Sequence, residues 1–253
     1  MIFYGVSELL VLLCGVVTGF LSFKGPVIMN LLLSALVLLL THLFLGTEGL
    51  GWAEAGLKRD SSALKQLLTG TLAGIGMLLV VAKVITLIVG LHWALNPAFH
   101  WIDLGGIFIT VFCSAFAQEL AFRGYPFFLM MRKWGEWPAQ LVTAFFFGCM
   151  HLHEGMSWHD IFFVLLSTGI GSLLFGMATI RTGKIYLATG IHFGWNFLQY
   201  LLPRSPGENG QGSWIVTGGR VADMGLMAYM LPYVIIIALA YFIIRRRKGA
   251  ISG

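Results

Sequence analysis

The sequence predicts an all-α fold, a polytopic transmembrane bundle of about eight helices forming one integral-membrane domain over 1–253, and three observations predict it. The 253 residues are 58% hydrophobic and only 11% charged, whereas a soluble domain carries about 25% charged residues and needs them to cover its surface. Mean hydropathy is +0.85, and the apolar residues run from end to end. That pattern excludes a disordered chain, a collagen and a soluble enzyme on a single anchor. The 32 Gly and 20 Phe suit packed transmembrane helices, in which Gly lets backbones approach.

A helix needs about 20 mostly apolar residues to cross a bilayer. The first such stretch, Ile2 to Phe23, lacks a basic leading segment, carries Glu8 and has no small-residue cleavage site before Lys24, so it is expected to remain as a span and not be removed as a signal peptide. Val27 to Leu45 and Gln66 to Leu91 follow. Between them Gly46 to Leu64, with TEGLGW and a KRDSS cluster, reads as a cytoplasmic amphipathic or re-entrant piece. Leu104 to Met131, Trp137 to Leu152, Ile161 to Ile180 and Ile185 to Leu202 come next, then a polar, Gly-rich external loop from Pro203 to Val221, and Met224 to Ile244 closes the set. Cys14, Cys113 and Cys149 sit inside apolar runs and read as small core residues, neither a disulfide framework nor a thiolate metal site.

Lys and Arg between the spans give the orientation. One set of connections holds Lys58, Arg59, Lys65, Arg132, Lys133, Arg181, Lys184 and the terminal Arg245, Arg246, Arg247 and Lys248; the alternate set holds Lys24, Arg204 and Arg220. With an even number of spans this bias puts both termini in the cytoplasm. The terminal basic run then serves as a stop-transfer anchor that also meets anionic lipid headgroups.

Ionisable groups at bilayer depth cost about 2.5 to 3.5 kcal/mol on insertion scales and mark function by default. Those inside the spans are Glu8, Lys83, Glu119, Arg123, His151 and His192, with Gln118 and Asn196 as uncharged companions. Glu119 and Arg123 are at i, i+4 and share a helix face, as do His192 and Asn196. Counting about 1.5 Å per residue, Glu119 lies roughly 20 Å from Arg132, Asn196 roughly 18 Å from Lys184, His192 roughly 12 Å from it, and His151 roughly 20 Å from Trp137. The levels overlap, so a shared polar pocket is geometrically allowed. Such a set supplies a base, a proton relay and an oxyanion donor; the same groups also suit a proton relay or an ion site. Two His and a Glu leave room for zinc, but HExxH is absent and no two His share a helix at i, i+4. No cofactor is called for.

Each residue also has a bland reading. Glu119 and Arg123 make an internal ion pair, His192 and Asn196 bridge helices, His151 sits near a span end, and Glu8 with Lys83 pair across two spans. His153, Glu154, His159 and Asp160 read as external-loop groups without catalytic work.

QELAFRG, FGCMH and HFGWN, each in its own apolar helix and in this order, resemble the CPBP family of membrane proteins, the CAAX prenyl-protease and bacteriocin-processing (Abi) proteins with the pattern EExxxR, FxxxH and HxxxN. The resemblance spans the motif-bearing core 103–203. It implies a metal-independent glutamate intramembrane endopeptidase in a bacterial inner or plasma membrane, acting on a peptide or prenylated-protein C-terminal segment, with membrane lipids and no nucleic acid as its other partners. It further implies that Gln118 and His151 hold the attacking water, that His192 and Asn196 stabilise the oxyanion, and that Glu119 with Arg123 supports them.

The sequence departs from that pattern at Gln118, where the family has its first glutamate. A neutral amide orients a water but takes no proton from it, and Glu119, paired with Arg123, is a poor substitute. Either this is a Glu-to-Gln variant that abolishes cleavage, which the intact remaining motifs favour, or it is a natural member that is inactive or uses another base. The rival functions are a non-catalytic membrane immunity or scaffold protein and a proton-coupled transporter.

Overall fold

The computed structural model describes residues 26–204, 212–218 and 226–246. The expected span Ile2 to Phe23, with Glu8 and Cys14, lies outside them. Helix α1 covers Pro26–Thr47. Its Ser34 hydroxyl donates to Cys113 O at 3.0 Å. Helix α2 (Ser61–Val89) is capped by Asp60, which accepts from Ser62 N, and is ended by Gly90 at φ 71°. The piece between them, read from sequence as amphipathic or re-entrant, is a short connector with one 3₁₀ turn at Trp52–Ala55.

The stretch read as one span from Leu104 to Met131 is two helices, α3 (Leu104–Arg123) and α4 (Tyr125–Trp134). Pro126 in the first turn of α4 has no N–H to continue α3 and disfavours helical backbone before it. At the break, a Cβ on Gly124 would meet Leu120 O at 2.2 Å, so glycine is required there. Helices α5 (Glu136–Cys149), α6 (Trp158–Thr182), α7 (Tyr186–Leu201) and α8 (Leu226–Arg246) complete the bundle. Ser157 caps α6 through Asp160, and Gly183 at φ 65° ends it.

Among the described residues four stretches are long and apolar enough to cross a membrane: Pro26–Thr47, Ser61–Val89, Trp101–Trp134 across the break, and Trp158–Thr182. The all-α, membrane-spanning character of the chain stands, and among the described residues these four stretches are the ones that match the expected spans by length and composition. With 14 and 16 residues, α5 and α7 rise only about 21 and 24 Å, short of a hydrocarbon core about 30 Å thick. Helix α7 is buried over Ala188–Gly194, whereas α5 keeps an exposed apolar face with Leu141 and Phe145. Lys83 is exposed near the end of α2, where a long side chain can carry its ammonium to the interface.

The tightest packing in the bundle is between α2 and α7, each carrying a G-x-x-x-G run. A Cβ on Gly70 would meet Leu187 O at 2.4 Å, on Gly74 Ile191 O at 2.2 Å, on Gly190 Leu67 O at 2.2 Å and on Gly194 Thr71 O at 2.2 Å. Only the missing side chains permit this approach. The expected external loop also carries structure. Its β2 (Trp214–Thr217) pairs antiparallel with β1 (His92–Leu95) just after α2, with His92 opposite Thr217. Trp93 Nε1 donates to Pro203 O at 3.0 Å and ties this ribbon to the end of α7.

Candidate functional site

The site grows from the last turn of α3. Glu119 and Arg123 are both fully buried, and Nη1 of Arg123 lies 3.2 Å from Oε1 of Glu119. A buried guanidinium needs more than one carboxylate oxygen, and here Nη2 donates to Ser172 O at 3.3 Å and to the Ser172 hydroxyl on α6. Its plane also meets aromatic faces, with the guanidinium carbon 4.3 Å from the Phe147 centroid and 5.3 Å from that of Phe175. The Glu119–Arg123 pair is legible in the sequence; Ser172 and the aromatic walls are not. Phe147 was visible as the first residue of FxxxH; Phe175 and Ser172 had no local signal.

His192 joins this pair from α7. Its Nδ1 is 2.8 Å from the same Glu119 oxygen, and its ring stacks on Phe175 with centroids 4.8 Å apart and planes 14° off parallel. A carboxylate only accepts, so Nδ1 carries the proton and Nε2 is left for the cavity. Glu119 thus fixes both Arg123 and His192. Spacing puts Glu119 and His192 at overlapping depths and allows a shared pocket, without pairing them. The link between helices is not written in either motif.

His151 follows the end of α5, its N–H donating to Gly148 O at 3.0 Å. Its Nδ1 is 2.7 Å from Phe147 O. A carbonyl also only accepts, which assigns the proton to Nδ1 and leaves Nε2 a lone pair. The Phe147 and His151 rings are 4.9 Å apart, so the i, i+4 spacing of that motif sets the imidazole against the aromatic wall.

His151, His192 and Asn196 line one cavity of about 510 Å³, walled by Met77 of α2, by α6 and by Met230, Tyr233 and Ile237 of α8. Glu119 and Arg123 stand behind this wall. Gln118 is not among the residues lining this cavity: its Nε2 donates to Ser114 Oγ at 3.1 Å one turn back, and its Oε1 is buried without a hydrogen-bond partner. His159 and Asp160, set aside in sequence as loop groups, line the cavity, as do Gln199 and Arg204. Arg204 is only 6% exposed. The Asp160 carboxylate accepts from the Ser157 hydroxyl at 2.7 Å.

Among the described residues no three His, Cys, Asp or Glu side chains group to hold a metal ion. With a ring nitrogen each occupied by Glu119 and Phe147 O, the two histidines present one nitrogen apiece to the cavity. Residues 100–198, from the turn before α3 into α7, match a family described as Rce1-like: Type II CAAX prenyl endopeptidase Rce1-like. No curated protein matches the chain.

Proposed function

We propose that the cavity is a peptide-cleaving site, a reading supported by the match of residues 100–198 to the Rce1-like family of Type II CAAX prenyl endopeptidases. The observation that carries the reading is the convergence of three motifs from three helices: Glu119 holds Nδ1 of His192 at 2.8 Å, while His151, His192 and Asn196 line one cavity.

In this reading a scissile carbonyl lies against Asn196 Nδ2 and His192 Nε2. These groups donate to the oxyanion as it forms, with Glu119 as counter-charge to the imidazolium this requires. A water beside His151 attacks, and the lone pair on His151 Nε2 receives its proton. With Gln118 in the place of the family's first glutamate, that water has one base where a full site has two. Arg123 is a positioning residue, acting through Glu119. The substrate class the family implies is a peptide or lipidated-peptide C-terminal segment.

The test is Gln118→Glu assayed against a peptide panel. Restoring a general base is worth about 10² to 10⁴ in rate, so cleavage rises by that order, and adding His151→Ala removes it again. If neither form cleaves while both bind peptide, the catalytic reading is overturned. The second reading, a non-catalytic peptide-binding member of the family, is favoured by one observation: Gln118 is turned to Ser114.

A further inference from the structure

The cavity runs from deep in the bundle to one of its two ends. Its inner wall is Phe147, Phe175 and His192, with His192 only 4% exposed. Its outer wall is His159 and Asp160 at the start of α6, exposed at 70% and 59% of their side chains, with Gln199 and Arg204 at the far end of α7.

The opposite end is identified by its contacts. Lys184 pairs with Asp60 and donates to Ser62 Oγ at 2.8 Å, and Ile185 N donates to Gly56 O at 3.1 Å. The connection before α2 and the turn between α6 and α7 therefore meet at one level. Helix α8 starts beside the cavity, where Tyr233 donates to Ser167 O at 2.7 Å, and its last turn holds Arg245 and Arg246. That level collects Lys58, Arg59, Lys65, Arg181, Lys184, Arg245 and Arg246, and Arg132 joins it beside Ala53 and Gly183, while Lys83 near the far end of α2 and Arg204 stand toward the cavity end.

Lys and Arg near span ends stay on the cytoplasmic side. We infer that the cavity holding His151, His192 and Asn196 opens to the extracytoplasmic face, and that it takes peptide segments presented from that side and not the lipidated C termini of cytosolic proteins. The word substrate rests on the endopeptidase reading above; the side to which the cavity opens does not.

Single cysteines test the side. In a full-length background with Cys14, Cys113 and Cys149 replaced by serine, His159→Cys reports the cavity mouth and Glu136→Cys, at the exposed turn after Lys133, reports the basic end. In sealed right-side-out spheroplasts a membrane-impermeant maleimide labels His159→Cys, and Glu136→Cys labels only after permeabilisation. The reverse pattern overturns the inference.

A second arm uses the Gln118→Glu protein with its native cysteines and a charged, membrane-impermeant fluorogenic peptide. Cleavage by right-side-out vesicles at least tenfold above that by inverted ones supports the substrate half. Cleavage confined to inverted vesicles overturns it. Absence of cleavage even in detergent-solubilised protein defeats the endopeptidase reading alone, because the labelling still decides the side.

Discussion

At the residue scale, Glu119 is the centre of the site, since one of its oxygens serves both Arg123 and His192. Replacing it by Gln leaves the fully buried Arg123 without a counter-charge. Breaking a buried pair in this way costs about 3 to 5 kcal/mol. Thermal unfolding in detergent should show that loss for Glu119→Gln, and a double variant adding Arg123→Met should recover part of it, because it removes the stranded charge. A drop no larger than that of an exposed control would mean that solvent reaches the pair. Ser172→Ala is expected to be milder: it removes one of several acceptors around the guanidinium, leaving Ser172 O and Glu119 in place. The sequence named most of these residues because charge in an apolar helix is conspicuous. It did not name Ser172 or Phe175, which are ordinary residues until the fold sets a guanidinium against them.

At the scale of elements, the contact of α2 with α7 sets where His192 stands. His192 lies midway between Gly190 and Gly194 in sequence, with its side chain on the opposite face of α7, and both glycines touch the backbone of α2. Gly190→Ala or Gly194→Ala puts a methyl where no space exists, forcing the helices apart at a cost of about 1 to 3 kcal/mol. In a Gln118→Glu background each should also lower cleavage, by shifting His192 from the oxyanion. Gly76→Ala is the control, since a Cβ there meets nothing within 4 Å; its stability should rise by at most about 1 kcal/mol. Equal behaviour of the three variants would refute the close packing. Both G-x-x-x-G runs are legible in the sequence, but which helices they join is not. The break at Gly124 and Pro126 was likewise legible as chemistry and hidden by hydropathy, which averages across it.

At the scale of the molecule, the basic end is tied together by Asp60 and Lys184 across two connections. Its partner Lys184, with Ser62 second, holds the Asp60 carboxyl down to about 2 from 3.8. A depressed carboxylate contributes its stability above its unfolded value and loses it as pH falls through the folded one. The tie is therefore complete above pH about 3.8 and lost toward about 2, and acid unfolding of Asp60→Asn should lack that step. A step of the same size in both proteins would assign it elsewhere. Fold class and the motif-bearing core were readable in composition and spacing. The short α5 and α7 and the β1–β2 ribbon were not, because each is set by what lies across the bundle and not along the chain. The glycine seam has one further consequence, for ligand exchange. The side of the cavity built on α7 is clamped to α2 by main-chain contact and has no slack, whereas the facing side is α8, which carries Pro232 within its length and so lacks one main-chain donor. Any widening that admits or releases a bulky ligand is assigned to the α8 wall, so variation in what this scaffold accommodates can accumulate there while the α7 wall stays fixed.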